Sequence, residues 1–316
     1  MERLLRSALF ASLSSPAGRS LAQVGRVQAL REGSPLMQEG EASSFLAVLL
    51  RGRLSVLSKG QQVVIADIPV GAPVGELGLL TGAPRSATVV ASEPSEVWRV
   101  ERSDLEALLE AGDPRAGSLL SALGRVLVGR LRDQHLDGLA MLPGLAGDPR
   151  GRALLEALGW GLDDQGATTP AATEEETLAL EPVDLTALET VALEPGQRLF
   201  SASEVLRGAF NLETGALTLR LHVQDRRATC TWARAVAPGD WLGLSAMLDG
   251  GPALHSAVAS APSTLRVVSR DQLALWLDRG DPRGLALQRQ WLVLQARELA
   301  RVSRDNVRIL RQAAEF

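Results

Sequence analysis

Along this chain the apolar residues fall into short runs at close spacing, with glycine and proline between them. Phe45-Leu46-Ala47-Val48-Leu49, Arg53-Leu54-Ser55-Val56-Leu57, Val63-Val64-Ile65 and Ala87-Thr88-Val89-Val90-Ala91 are the clearest in the first half. Short alternating or apolar runs punctuated in this way predict a small antiparallel sandwich or roll. A short amphipathic helix precedes them at the N-terminus. After them an Asp-Pro pair opens a longer helix, from Asp113 to about His135, and again from Asp281 to about Leu310.

The pattern occurs twice. Leu36, Gly52, Leu54 and Val56 have counterparts 163 residues later at Leu199, Gly215, Leu217 and Leu219. From Gly71 onward the offset is 168, so that Gly75, Leu80, Pro84, Ala91 and Leu105 become Gly243, Leu248, Pro252, Ala259 and Leu273. The five extra residues of the second copy fall between Leu219 and Gly239, where a hairpin loop absorbs them cheaply. The expected fold is α+β and mainly β: two tandem antiparallel rolls, jelly-roll-like, each followed by a C-terminal helix. The expected division is 1–137 for the first domain, 138–185 for a linker and 186–316 for the second domain. Within the linker, Arg150 to Leu158 suits a short helix, and the polar, acidic stretch from Asp163 to Thr177 reads as mobile.

Composition narrows the function. The chain has 316 residues, 46% apolar and 22% charged, enough for two cores. Its 33 basic and 37 acidic residues leave a net charge of -4, which gives no footprint for DNA or an anionic membrane. A lone cysteine, Cys230, fits a reducing cytoplasm, and no apolar run is long enough to span a bilayer. Three scattered histidines offer no metal cluster and no plausible Ser/His/Asp set, so no enzyme is expected and no cofactor.

The chemistry lies in Val74-Gly75-Glu76-Leu77-Gly78-Leu79-Leu80-Thr81-Gly82-Ala83-Pro84-Arg85-Ser86-Ala87-Thr88. A glycine starts one helical turn whose free amides can face an anion, and the turn at Thr81–Pro84 returns Arg85 over that start. Glu76 beside a phosphate is repulsive unless it accepts from a neighbouring hydroxyl. A sugar phosphate with a free 2′-hydroxyl satisfies both groups.

Gly-Glu-Leu-Gly-Leu-Leu followed by Pro-Arg-Ser-Ala-Thr resembles the phosphate-binding cassette of the cyclic-nucleotide-binding-domain family. Gly33 to Gly40 and the Gly52–Val56 strand also resemble its β-roll pattern. The resemblance covers about 1–137 and, more weakly, 186–316. It implies a cyclic mononucleotide ligand, cAMP or cGMP, with Glu76 on the ribose 2′-OH and Arg85 on the cyclic phosphate. The amides of Gly78 and Ser86 would complete the phosphate nest beside Leu77 and Ala87, and Gly75 would open it. Ser86 does not separate cAMP from cGMP. Alignment with catabolite-activator-like relatives puts Gln134 and His135 at the base-contacting positions of the C-terminal helix, and both can hydrogen-bond a base edge.

In the second copy Glu76 becomes Leu244 and Arg85 becomes Ala253, so that pocket is expected to be empty of function. His255 replaces Ala87 and reads as a surface or hairpin residue, while Trp241 and Trp276 read as core of the second roll. Leu292, Leu299 and Asn306, with Val302 and Ile309 between them, recur at coiled-coil spacing and predict a homodimer through the last helix. The functional expectation is a sensor that binds nucleotide in its first domain and signals to a separate, unidentified protein partner. The alternative is a scaffold of two rolls that senses nothing. A kinase regulatory subunit is a third possibility, weakened by the absence from the linker of an Arg-Arg-x-Ser/Ala segment.

Overall fold

The computed structural model describes residues 2–11, 15–57, 64–146, 149–157, 160–161, 167–169, 183–224, 229–278 and 281–313. Helices α1 (Glu2–Leu5) and α2 (Ser15–Ala22) precede strands β1 (Arg26–Leu30), β2 (Pro35–Met37), β3 (Phe45–Arg51), β4 (Leu54–Leu57), β5 (Val64–Ile68) and β6 (Pro73–Val74). The short helix α3 (Glu76–Thr81), strands β7 (Thr88–Ala91) and β8 (Ser95–Glu101), and helices α4 (Arg102–Glu110) and α5 (Pro114–Ala146) follow. Between the copies lie α6 (Pro149–Ala157), β9 (Trp160–Gly161) and β10 (Ala167–Thr169). The second copy runs through β11 (Thr190–Leu193), β12 (Arg198–Phe200), β13 (Gly208–Thr214), β14 (Leu217–Gln224), β15 (Thr229–Val236), β16 (Trp241–Leu242), α7 (Leu244–Asp249), β17 (Ser256–Ala259), β18 (Ser263–Ser269), α8 (Arg270–Asp278) and α9 (Pro282–Ala313).

The repeat is a repeat of topology. The first roll has sheets β1-β8-β3-β6 and β2-β7-β4-β5. The second has β11-β18-β13-β16 and β12-β17-β14-β15, the same order strand for strand, with β10 added beside β15. In the first roll the unbroken apolar run of β3 is explained by burial on both faces. Leu46, Val48 and Leu50 join Trp98, Leu9, Phe10 and the helices in one cluster, while Phe45, Ala47 and Leu49 face Leu36, Leu54, Val89 and Val97 between the sheets. Trp98 anchors the first cluster edge-on to Phe10 at 5.3 Å, and its indole N–H donates to the Ala22 carbonyl at 3.1 Å.

Three expectations are corrected here. The five inserted residues lengthen a hairpin rather than loosen its loop: β14 and β15 pair from Leu217↔Val236 to Gln224↔Thr229. The long outer edge of β15 then accepts β9 in antiparallel and β10 in parallel pairing, so part of the expected linker is sheet. The rest of Asp163–Thr177 lies outside the described residues. The first long helix does not stop near His135; α5 reaches Ala146 and crosses the expected boundary at 137.

The chain forms two compact units, residues 1–127 with 276–297, and 128–275 with 298–316. In each unit a part of α5 lies beside a part of α9. In the first, Gln288 donates to Ser121 Oγ at 2.6 Å. In the second, Ser303 donates to Gln134 Oε1 and Asn306 Nδ2 to the Gln134 carbonyl, both at 2.7 Å. Partners are 167, 169 and 172 residues apart, close to the repeat offset, so the two helices pair in parallel. Leu292, Leu299 and Val302 are buried within the one chain. These residues of the stripe expected to join two protomers are thus already covered inside a single chain, whereas Ile309's side chain lies outside the described residues.

Candidate functional site

The cassette starts at Gly75, whose left-handed φ of 84° caps α3. A side chain there would collide with Arg85 Nη1 as well as strain the backbone. Arg85 Nη1 donates to the Gly75 carbonyl at 3.0 Å and Nη2 to the Phe45 carbonyl at 2.7 Å. Its backbone bridges the loop before β3: Gly40 N–H donates to the Arg85 carbonyl at 2.9 Å, and Arg85 N–H to the Glu41 carbonyl at 2.8 Å. Ser43 Oγ donates to the Ala83 carbonyl at 2.8 Å and presses so closely on Gly78 that only glycine fits. Arg102, the first residue of α4, straps the site from behind, donating to the Ser43 carbonyl at 3.0 Å and the Gly78 carbonyl at 2.8 Å.

Glu76 is 3% exposed and Arg85 4% exposed, and they are the only charged residues in the buried class among the described residues. Burial, then the Arg99 guanidinium, push Arg85 below its ordinary pKa, while Glu76 opposes them. Arg85 nevertheless remains a cation at neutral pH. Leu77 is half-buried and Gly78 buried, with Ser86 exposed and Ala87 half-buried after Arg85. The first unit thus gathers Gly75, Glu76, Leu77, Gly78, Arg85, Ser86 and Ala87 in one cassette. Ser43, Phe45, Arg99 and Arg102 around it were not singled out by sequence. Arg102 had a signal, since Arg270 stands at its place 168 residues on.

The second copy keeps this backbone and changes the side chains. Gly243 caps α7 with φ 76°. Ser203 N–H donates to the Ala253 carbonyl at 2.8 Å and Ala253 N–H to the Glu204 carbonyl at 2.7 Å, the same bridge as in the first roll. Arg270 donates to the carbonyls of Leu206 and Ala246, as Arg102 does to those of Ser43 and Gly78. Yet Leu206, Ala246 and Ala253 belong to an apolar cluster, and Leu244 is buried too. A Cβ on Gly243 would lie 2.9 Å from Leu206 Cδ1, where Gly75 faces a guanidinium.

Gln134 and His135 have their described partners in the second unit. Besides the Gln134 bonds given above, His135 Nδ1 lies 2.9 Å from the Leu131 carbonyl, and its ring meets His255 edge-on at 5.7 Å. His255 also lies against Trp232 at 5.0 Å. Its place is therefore in an aromatic cluster, where a surface or hairpin residue was expected. Burial first, and His135 second, depress the His255 pKa to about 3. Trp276 is buried as expected but falls in the first unit, and Trp241 is only half-buried. The described residues contain no group of three or more His, Cys, Asp or Glu able to hold a metal. No described helix is long and apolar enough to cross a membrane.

The family model of the cyclic nucleotide-binding domain matches residues 27–111 and again residues 190–279, more than half of the chain. The chain belongs to the cyclic nucleotide-binding domain family. It is 28% identical over 111 residues to a cAMP-dependent protein kinase regulatory subunit from Yarrowia lipolytica, covering 35% of this chain and 29% of that one. It is 35% identical over 80 residues to the acetyltransferase Pat of Mycolicibacterium smegmatis, covering 24% of each. The matches thus span under a third of these relatives' lengths. A solved structure of the regulatory domain of Toxoplasma gondii PKA with cAMP is 18% identical, covering 89% of this chain and 91% of that one at a TM-score of 0.31.

Proposed function

We propose that this protein is a cyclic-nucleotide sensor with one working pocket, in the first roll. Arg85 takes the cyclic phosphate, Glu76 the ribose 2′-OH, and the amides of Gly78 and Ser86 close the phosphate nest beside Leu77 and Ala87. The observation that carries this reading is the burial of Glu76 and Arg85 together in the cassette, with no other charged residue so deeply buried among those described. Taking two charges out of water costs several kcal/mol each before compensation. The second roll builds the same backbone without them, so the fold does not require them. A ligand carrying both an anion and a hydroxyl does. Gln134 and His135, engaged in the second unit, are not part of this pocket reading.

The signal leaves through α5. This helix follows α4 of the nucleotide roll, and its second half is gripped in the second unit by a two-pronged Arg132–Asp249 ion pair at 2.5 and 3.0 Å. Nucleotide that favours one setting of α5 would shift the surface offered to a separate protein partner. The name of the Yarrowia relative makes cAMP the first probe to use, with cGMP beside it.

Calorimetry and melting test the reading. Nucleotide at about a hundredfold over its Kd should stabilise the first unit by about 2.7 kcal/mol. Arg85→Leu should weaken binding by about ten- to hundredfold, the worth of charge-assisted bonds of about 1.5–3 kcal/mol. No melting shift with either nucleotide would put the scaffold reading in its place.

A further inference from the structure

Phe45 is a buried member of the cluster between the sheets of the first roll, but two cations lie over its ring. The Cζ of Arg85 is 4.4 Å from the ring centroid and that of Arg99 3.7 Å. Arg99 is itself fixed by a fork onto Glu101, at 2.7 and 3.1 Å. The Phe45 carbonyl accepts from Arg85 Nη2 at 2.7 Å, so one residue meets Arg85 through both its backbone and its ring.

The repeat separates scaffold from machinery. Gly75, Arg102 and the backbone bridge at Arg85 all recur in the second roll, as Gly243, Arg270 and the bridge at Ala253. Phe45 and Arg99 do not: Gly208 and Val267 stand at their places, alongside Ala253 for Arg85 and Leu244 for Glu76. Strand pairing is no reason for them, since β13 pairs with β18 as β3 pairs with β8. The ring and its bracing arginine are lost together with the charged pair of the pocket.

A phenyl face is electron-rich and attracts a guanidinium lying over it, more strongly where water is excluded. Over Phe45 it opposes the repulsion between Arg85 and Arg99 and restricts rotation of the Arg85 side chain. We propose that Phe45 is a positioning residue of the anion site: its ring, braced by Arg99, holds the Arg85 guanidinium in the orientation a cyclic phosphate needs. This rests on reading the cassette as a cyclic-nucleotide site.

The test compares Phe45→Leu, which removes the ring, with Phe45→Tyr, which keeps it, using cAMP titration calorimetry on the full chain. Melting curves monitor the fold of both. Phe45→Leu should weaken cAMP binding about tenfold, the scale of one desolvated cation–π contact, while Phe45→Tyr stays within about twofold of the wild type. Equal binding by Phe45→Leu and wild type, or an equal loss in both variants, overturns the proposal. Water exchange of the Arg85 Nε proton, read by NMR without nucleotide, gives an independent answer. It should be faster in Phe45→Leu than in the wild type and Phe45→Tyr. If the wild type binds neither cAMP nor cGMP, the nucleotide reading falls, and this exchange rate alone decides: faster in Phe45→Leu upholds the positioning role, unchanged overturns it.

Discussion

Glu76 and Arg85 sit where a folded domain rarely keeps charge, and at the matching places of the second roll the same backbone holds the apolar Leu244 and Ala253. The exchange is not confined to two positions. Ser43 and Gly78 have become Leu206 and Ala246, so the second pocket floor is continuous with its core. Ala253→Arg alone should therefore create no second site. It would bury an unpaired cation against Leu206, at a cost on the order of 3 kcal/mol, read as a lower Tm with unchanged nucleotide stoichiometry. Ser203 records the same history in its backbone. It stands at the place of Gly40 (φ 85°) and keeps a φ of 68°, the only positive φ outside glycine among the described residues. An L-residue in that region costs about 1–2 kcal/mol, so Ser203→Gly should raise stability by about 0.5–1 kcal/mol after the entropy of glycine is set against it. A melting temperature that fails to rise would mean the loop already relieves the strain.

At the scale of elements, the distal part of α5 is held by a polar cluster that also sets an acid limit. His255 faces His135 of α5, with Glu298 and Arg301 of α9 and Arg234 of β15 around them. Burial pulls the His135 pKa below its ordinary value, as it does that of His255. Burial would raise Glu298, but the Arg301 fork at 2.6 and 3.0 Å, with Arg234 and His135, brings it down to about 2. Both kinds of shift work in one direction. The unfolded chain takes up protons on these histidines below about pH 6.5, and on Glu298 below about 4.5, before the folded chain does. Stability should fall from about pH 6.5 toward 3 through His255, and from about 4.5 toward 2 through Glu298. His255→Phe should flatten the upper part of a Tm-against-pH curve; an unchanged slope there would remove the histidine from the account. The α9 stripe makes a separate prediction. Leu299→Asp should lower the Tm equally at every protein concentration, because its partners are in the same chain. A concentration-dependent Tm would place the stripe between chains.

For the whole molecule, the two rolls and the glycine-framed cassette segment were legible because each rests on local pattern: alternation in β4, the apolar run of β3, and glycines between the runs; the order of the strands in the sheets was not. What was not legible depends on pairing across long distances. A heptad stripe from Leu292 to Asn306 states that it will be covered, but not that its leucines are buried within the same chain or that Asn306 bonds to α5. Trp160–Gly161 and Ala167–Thr169 become strands only because the lengthened β15 offers an edge, a context that propensity does not carry. Nothing in the sequence pattern marks Arg99, whose place over Phe45 depends on the pairing of β3 with β8. The candidate residues that sequence did provide, Glu76 and Arg85, came from chemistry that two groups would share with one ligand.

Two rolls of one family share a backbone, and in the proposed function only the first binds nucleotide. Titration calorimetry of cAMP and cGMP into the full chain tests it most directly, run beside Arg85→Leu and, at the matching position of the second copy, Ala253→Leu. One site per chain is expected, lost or weakened by about ten- to hundredfold in Arg85→Leu and unchanged in Ala253→Leu. Two sites per chain, equal losses from the two substitutions, or no binding of either nucleotide would contradict it.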